Sequence, residues 1–297
     1  MKKKIDVMIV GAQKAGTTSL LRYLGEHPAC KSHHQKEFAY FLTPHWYEQD
    51  YNNAYEKYFT NLSPKETDLL LAKSATLYMS EEGISHLNSH NPNCKIIFIL
   101  RNPIDRAYSS YLMEKNAGTV NFEFDNIGEI IERKSGWEYR IFVEFGIYFT
   151  QLKTIYKYFS KDQVKVIIYN DLKDDSLLIC KEIFTWLKID NQFKPQTDIK
   201  HNTTFKNFSF IYSKTVSHLL KQNNPFRKLI STLIKSRNAY KYGNLLDKVN
   251  KSKKTFKSMD SNARIALSNF YKPFNLELSK IIDRDLSSWD YYKEQEI

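Results

Sequence analysis

The sequence predicts an α/β protein in which a central parallel β-sheet is flanked by helices in three layers. Two stretches carry this prediction. Residues 5–10 are apolar apart from Asp6 and run through a glycine-bounded turn into leucines at helical spacing. Residues 96–100 are hydrophobic without a break, as is typical of a strand buried on both faces of a parallel sheet, and a helical pattern follows them.

The other elements of the first half follow from periodicity and from residues that end helices. The first helix is predicted over residues 18–26, because His27 precedes Pro28 and the residue before a proline avoids helical backbone. The aromatic and charged segment 44–59 is predicted to be helical. Apolar residues at 69–73 predict a third strand, which ends in a lysine.

The second half continues the pattern of helices and strands. Residues 119–144 are predicted to be helical, a further helix with one apolar face begins near Tyr148, and residues 163–169 form a strand before a helix that ends at Leu187. Residues 208–257 alternate short apolar groups with lysines and arginines. This alternation predicts two or three helices over the mouth of a site.

Length and composition predict one domain. With 297 residues, 42% of them hydrophobic, the chain is long enough for one sizeable core, and it has no internal repeat or low-complexity linker. We expect a single domain over residues 1–297. Its core would span about 5–200 and 260–290, with a helical, basic, lid-like segment at about 205–258.

The location of the protein is predicted from its termini and cysteines. The apolar run near the N-terminus is short and has charged flanks, which predicts neither a signal peptide nor a transmembrane segment. Cys30, Cys94 and Cys180 are odd in number and scattered. This spacing predicts no disulfide framework and no metal site, and it favours a cytoplasmic location.

The formal net charge of +11 is compatible with nucleic acids, membrane surfaces or anionic small molecules as partners. Lysines dominate and are spread along the chain, without a dense block of basic residues. This distribution favours a solvated basic surface over a specific groove for a polyanion. Such a surface would still attract an anionic nucleotide or an anionic acceptor, and no nucleic-acid partner is expected.

The turn after the first strand has the composition of an anion-binding loop. Glycines let the backbone approach an anion, and the first N–H groups of the following helix have no partners inside that helix. Gly11 and Gly16 have the spacing of a nucleoside-triphosphate loop, but Thr17 stands where that loop has its lysine, and Lys14 comes early. An ordinary ATPase or GTPase is therefore disfavoured.

The strand at 95–100 delivers a second candidate for binding anions. Arg101 follows it directly, and the planar guanidinium can bind phosphate oxygens in pairs. Asn102 is predicted to cap the next helix, with Pro103 at its first position. Ser109 then lies about two turns into that helix.

Together the two motifs resemble a known family. The loop K-x-G-T-T and the pattern L-R-N-P-x-x-R-A-x-S-x-Y are similar to those of sulfotransferases that use 3′-phosphoadenosine-5′-phosphosulfate (PAPS). The resemblance implies a P-loop-like fold, PAPS as cofactor and 3′,5′-ADP as product. It implies that Arg101 and Ser109 hold the 3′-phosphate, whereas Arg106 is left as a structural or ion-paired residue. The loop contacts that it implies are Gln13, Lys14, Ala15, Gly16, Thr17, Thr18 and Ser19.

The resemblance extends to the candidate catalytic residues Lys14, Glu37 and Lys73. The segment K-E-x-x-x-F resembles the one that carries the general base in Golgi-type carbohydrate and heparan sulfate sulfotransferases, which implies that Glu37 removes the proton of the acceptor. His33 and His34 remain alternatives, because imidazole has the more suitable ordinary pKa and a glutamate would need desolvation. The phrase K-S-A-x-x-Y implies that Lys73 lies beside the acceptor.

We therefore expect a sulfotransferase that moves the sulfuryl group of PAPS to a hydroxyl or amine, with an oligosaccharide, polysaccharide or glycolipid as acceptor. The developing charge on the leaving phosphate would be stabilised by Lys14 and the loop amides, without a metal. Two other functions stay open. One is a kinase-like P-loop phosphotransferase, which would need magnesium, and the other is a non-catalytic protein that binds a polyanion.

The resemblance weakens toward the C-terminus. In this family a loop closes over the adenosine, so residues 201–204 are weak cofactor candidates. Residues 271–278 and 284–289 resemble the closing helix of bacterial sulfotransferases.

Overall fold

The structure is a computed structural model of the 297-residue chain. It describes residues 2–33, 35–42, 50–60, 62, 64–197, 209–211, 251–253 and 258–290. The candidate base His34, the candidate cofactor loop 201–204 and most of the lid-like segment lie outside the described residues.

Five parallel strands form the central sheet, which confirms the predicted fold class. The order across the sheet is β2-β3-β1-β4-β5. Their bounds are β1 Val7–Gly11, β2 Cys30–Ser32, β3 Leu69–Lys73, β4 Lys95–Leu100 and β5 Val164–Ile168. The two central strands are the most hydrophobic because both of their faces are covered: every residue of β1 is buried, and so is every residue of β4 after Lys95.

Helices connect the strands. Their bounds are α1 Thr17–Gly25, α2 Tyr51–Tyr58, α3 Glu81–His90, α4 Pro103–Ala117, α5 Ile127–Arg133, α6 Tyr148–Tyr158, α7 Tyr169–Asp174, α8 Ser176–Trp186 and α9 Ser261–Ile282. Helix α1 begins one residue before the predicted start and has its last residue one position before the predicted end. The segment between α5 and α6 is also helical, as predicted, through a turn at Gly136–Glu138, a π-helical turn at Tyr139–Val143 and a 3₁₀ turn at Glu144–Gly146.

The start of α4 follows the sequence prediction in detail. Asn102 caps the helix, because its side-chain oxygen accepts a hydrogen bond of 3.0 Å from the backbone N–H of Ile104. Pro103 occupies the first helical position, where the missing N–H costs nothing. The chain therefore leaves the strand and enters the helix within two residues of Arg101.

The sheet order brings three sequence motifs to one edge. Strand β1 pairs with both β3 and β4 in parallel. The loop after Gly11, the end of β3 at Lys73 and Arg101 after β4 consequently leave the sheet at the same, carboxyl-terminal side. In an open parallel sheet this side is where ligands bind.

The segment 208–257, predicted to form two or three helices over the site, contains a short strand near each of its ends. Ser209–Ile211 and Lys251–Lys253 form strands β6 and β7, which pair antiparallel in a separate two-stranded sheet. The prediction of an entirely helical segment is therefore wrong at these positions. Segments of three residues are too short to show a helical or strand period, and pairing with a distant partner decides between the two.

Helix α9 closes the fold against α4. A second hydrophobic cluster forms between these helices and the helical turns near residue 142, around Leu112, Phe142, Leu267 and Tyr271.

All three cysteines are free thiols and buried, and burial raises the pKa of Cys30 and Cys180 to about 12. In the part of the chain that the structure describes, no helix is both long and apolar enough to cross a bilayer.

Candidate active site

The loop between β1 and α1, residues 12–16, has a backbone that only particular residues allow. Gly16 has φ 82° and precedes α1 directly, and an added Cβ there would lie 3.2 Å from the ring of Tyr169. Lys14 also has a positive φ, 72°, which is uncommon for a residue with a side chain. Since Gly16 has no side chain to cap the helix, the first N–H groups of α1 are available to an anion.

Arg101 holds this loop from the neighbouring strand. Its Nη1 donates a hydrogen bond of 2.9 Å to the backbone carbonyl of Lys14. The guanidinium also lies over the ring of Tyr169, 5.0 Å from the ring centroid. The two motifs that the sequence separates by 87 residues are thus in direct contact.

Helix α4 contributes two serines to the same region. The Ser110 hydroxyl donates to Oε1 of Gln13 at 3.2 Å, which is a second connection between the loop and the β4–α4 unit. Ser109 is buried, with 1% of its surface exposed. Its hydroxyl has no hydrogen-bond partner among the described residues. A buried hydroxyl of this kind ordinarily finds a partner, which makes Ser109 a candidate for contact with a ligand.

On the other side of the loop a buried lysine connects three segments. Lys73 Nζ donates to Glu37 Oε1 at 2.8 Å and to Thr18 Oγ1 at 3.2 Å. The second oxygen of Glu37 accepts the backbone N–H of Ala75, also at 2.8 Å. Burial lowers the pKa of Lys73, and the nearby carboxylate of Glu37 acts in the opposite direction.

These contacts leave Glu37 partly accessible. The Lys73 side chain is 1% exposed, whereas that of Glu37 is 39% exposed. The sequence expectation that the glutamate would need desolvation is not met by this degree of exposure. Instead, an ammonium and a backbone N–H each donate a hydrogen bond to one of its two oxygens, which fixes the direction of the carboxyl group.

His33, the alternative base, lies behind Lys73. It is buried, and its Nε2 accepts the backbone N–H of Lys73 at 3.1 Å. Because the ring is buried, neither of its nitrogens is accessible to a substrate. The position of His33 therefore favours Glu37, and it fixes the end of strand β3.

Positive charges surround Lys14. Burial, followed by the charges of Arg101 and Lys36, lowers the pKa of Lys14 to about 8, while Glu114 acts weakly in the opposite direction. Lys14 Nζ lies 3.7 Å from the sulfur of Met113. At neutral pH this ammonium is still mostly protonated and is a better proton donor than an ordinary lysine.

The region that contains these residues matches a protein-family model. A family model for the sulfotransferase domain matches residues 4–259. The chain belongs to the sulfotransferase family. The match covers the loop, Glu37, Lys73 and the β4–α4 junction, so the resemblance stated from the two motifs is confirmed at the level of family.

Curated relatives of this sulfotransferase are heparan sulfate enzymes. The chain is 26% identical over 295 residues to the bifunctional heparan sulfate N-deacetylase/N-sulfotransferase 4 of Mus musculus, covering 95% of the chain and 30% of the relative. It is 27% identical over 290 residues to the corresponding human protein 2, covering 93% of the chain and 29% of the relative. The chain thus spans less than a third of the length of these relatives.

A solved structure confirms the fold of the sulfotransferase domain. The sulfotransferase from Alicyclobacillus acidocaldarius superposes with a TM-score of 0.68 at 21% identity, covering 97% of this chain and 99% of that one. At this identity the likeness concerns the fold. It supports the P-loop-like architecture that the sequence motifs imply.

The structure brings most of the predicted site residues of this sulfotransferase to one edge of the sheet. Thr17, the first residue of α1, is buried, and Thr18 contacts Lys73. Tyr169 and Ser110 were not predicted as site residues from the sequence. The ring of Tyr169 lies beside Gly16 and under the guanidinium of Arg101. Tyr169 follows directly after β5, the strand beside β4. A tyrosine at the carboxyl end of a neighbouring strand was the available signal.

Proposed function

We propose that this sulfotransferase uses PAPS and transfers its sulfuryl group to a hydroxyl or amine of a carbohydrate. The observation that carries the proposal is the hydrogen bond between Arg101 and the carbonyl of Lys14. A donor with phosphates on both the 3′ and 5′ sides of an adenosine needs two anion-binding groups at a short, fixed separation. The loop and Arg101 are such a pair.

The residues present fit a ligand with two phosphate groups. The first turn of α1 offers backbone N–H groups, and the buried Ser109 hydroxyl has no partner among the described side chains and backbone atoms. Arg101 adds a guanidinium that stays charged at any physiological pH. PAPS would supply an activated sulfuryl group whose leaving group is the 5′-phosphate.

The roles of the side chains follow from their charges. Glu37, oriented by its hydrogen bonds to Lys73 and Ala75, accepts the proton of the attacking hydroxyl or amine. Lys73 fixes the direction of that carboxylate and also contacts Thr18 beside the loop. Lys14 and the loop N–H groups stabilise the negative charge that grows on the leaving oxygen.

A carbohydrate acceptor is supported by the relatives. These relatives are named as N-sulfotransferases of heparan sulfate, and the matched region includes the segment with Glu37. The net charge of +11 suits an anionic sugar chain. We include both hydroxyl and amine groups because a carboxylate base can serve either.

Binding of 3′,5′-ADP tests the donor, and turnover tests the acceptor. In a thermal-shift assay, 3′,5′-ADP at 100 times its dissociation constant should stabilise the protein by about 2.7 kcal/mol, without magnesium. A response to ATP with magnesium but not to 3′,5′-ADP would instead indicate a phosphotransferase. A response to neither, with salt-dependent binding of heparin, would indicate a polyanion-binding protein.

The acceptor is then identified with labelled PAPS against a panel of N-deacetylated heparosan, other glycans, glycolipids and phenols. Transfer to a glycan or glycolipid is the expected result. Transfer to phenols alone would contradict the carbohydrate part of the proposal and leave the donor part intact.

A further inference from the structure

Tyr78 lies directly under the anion-binding loop and belongs to none of the roles described above. It follows β3 in a 3₁₀ turn and is 1% exposed. Its ring packs so closely on the last residue of β1 that a Cβ at Gly11 would lie 2.3 Å from a ring carbon. Gly11 is therefore required for Tyr78 to occupy this position.

Tyr78 contacts two segments that are distant in sequence. Its hydroxyl donates a hydrogen bond of 2.8 Å to the backbone carbonyl of Phe145. Its ring packs on Gly11, where the loop begins. One side chain thus connects the start of the loop to the turn Glu144–Gly146.

That turn is fixed to the start of α4. Arg106, fully buried on α4, donates through Nη2 to the carbonyl of Phe142 at 2.6 Å. A Cβ at Gly146 would lie 2.6 Å from the hydroxyl of Tyr271 and 2.9 Å from Pro103, the first residue of α4. Since Pro103 follows Arg101 by two residues, the turn, the start of α4 and the guanidinium form one packed unit.

We propose that Tyr78 is a positioning residue that keeps the loop N–H groups at a fixed distance from Arg101, through the bridge formed by its ring on Gly11 and its hydrogen bond to Phe145. In this role Tyr78 contacts neither phosphate group of the bound nucleotide. It acts by holding the two halves of the donor site in register before the ligand arrives, which reduces the cost of binding a ligand that spans both. The identity of that ligand rests on the proposed function.

Tyr78→Phe tests the bridge, because it removes the hydroxyl and keeps the ring that packs on Gly11. Dissociation constants are measured by calorimetry for 3′,5′-ADP, 5′-AMP and 3′-AMP. We expect the constant for 3′,5′-ADP to rise about tenfold, since one buried hydrogen bond is lost. The constants for the two monophosphates, each of which uses one half of the site, should change less than about threefold.

Tyr51→Phe is the matched control. The Tyr51 hydroxyl donates to the backbone carbonyl of Lys3 at 2.9 Å, before the start of β1 and therefore at the opposite end of that strand from the loop. Loss of this hydrogen bond should lower the melting temperature and leave the affinity for 3′,5′-ADP unchanged.

Two outcomes would overturn the inference alone. One is a Tyr78→Phe variant that binds 3′,5′-ADP as tightly as the wild type. The other is an equal weakening of all three nucleotides, which would indicate damage to the site in general. Absence of 3′,5′-ADP binding by the wild-type protein would instead overturn the proposed function, and the inference with it.

Discussion

Lys73 and Glu37, 36 residues apart in sequence, form an ion pair with 2.8 Å between Nζ and Oε1. The pair is asymmetric, because the lysine side chain is 1% exposed and the glutamate 39%. A buried ammonium needs oxygen partners, and Glu37 and Thr18 are its two acceptors. Lys73 is therefore the fixed member of the pair. It orients the carboxylate of Glu37, which solvent or an acceptor can reach.

The first prediction concerns Glu37 as the base. Glu37→Gln should lower turnover by about 10²–10⁴-fold, because the amide cannot take the proton of the acceptor. Binding of 3′,5′-ADP should be preserved. Turnover is measured with labelled PAPS and the acceptor that the panel identifies. Glu182→Gln, which removes another glutamate paired to a lysine at 3.3 Å, is the control and should turn over normally. Near-normal turnover of Glu37→Gln would remove it from the mechanism.

The second prediction concerns Arg101 and the 3′-phosphate. Arg101→Ala should weaken 3′,5′-ADP by about 2 kcal/mol, or about 30-fold, because a charge-assisted hydrogen bond is lost. The affinity for 5′-AMP, which lacks the 3′-phosphate, should change much less. Arg284→Ala, which breaks a surface pair with Asp171, serves as the control in the same calorimetric titration. Equal losses for both nucleotides would contradict the assignment of Arg101.

The third prediction is a pH dependence that arises from Lys14, whose pKa is lowered to about 8 from its ordinary 10.5. Between these values the unfolded chain binds more protons than the folded one, so stability should rise with pH from about 8 to 10.5. Affinity for 3′,5′-ADP should change in the opposite direction. It depends on the charged ammonium, and the dissociation constant should rise about fivefold between about pH 8 and pH 9.

Two variants of Lys14 separate these effects. Lys14→Arg stays charged throughout, so its affinity for 3′,5′-ADP should not vary over this pH interval. Lys14→Met should lose the increase in stability, measured by urea unfolding at each pH. The same rise in dissociation constant in Lys14→Arg would show that another group titrates.

The fourth prediction concerns the backbone at Gly16. Gly16→Ala should cost about 1–2 kcal/mol of stability, since φ is positive and the methyl group approaches Tyr169. It should also weaken 3′,5′-ADP. Gly128→Ala is the control, because a Cβ there meets no atom within 4 Å, and it should stabilise helix α5 by about 0.5–1 kcal/mol. Urea denaturation measures both, and a Gly16→Ala variant of wild-type stability would be inconsistent with the loop geometry.

Much of the fold was predictable from local pattern. The unbroken hydrophobic run before Arg101 and the cap at Asn102 are short-range features, and the structure confirms both the strand and the helix start. The two strands at 209–211 and 251–253 were not predictable in the same way. Their pairing joins segments about 40 residues apart, and short apolar groups between lysines are compatible with either helix or strand.

The candidate site likewise has a part that was predictable from the sequence and a part that was not. The sequence motifs and their resemblance to the family pointed to Lys14, Glu37, Lys73 and Arg101 one by one, and the roles given to them remain predictions. Spacing could not show that His33 binds the backbone of Lys73, nor that Tyr169 supports Arg101. Those contacts depend on which strands are neighbours.

By itself the sequence determined the α/β class, the glycine-bounded loop between Gly11 and Gly16, and the family. Hydrophobic periodicity and the positions of glycine and proline specify local structure over a few residues. Only the tertiary structure decided which charges and hydroxyls meet. Arg101 reaches Lys14, and Tyr78 reaches Phe145, across 87 and 67 residues. Sheet order and close packing, rather than local propensity, set such distances.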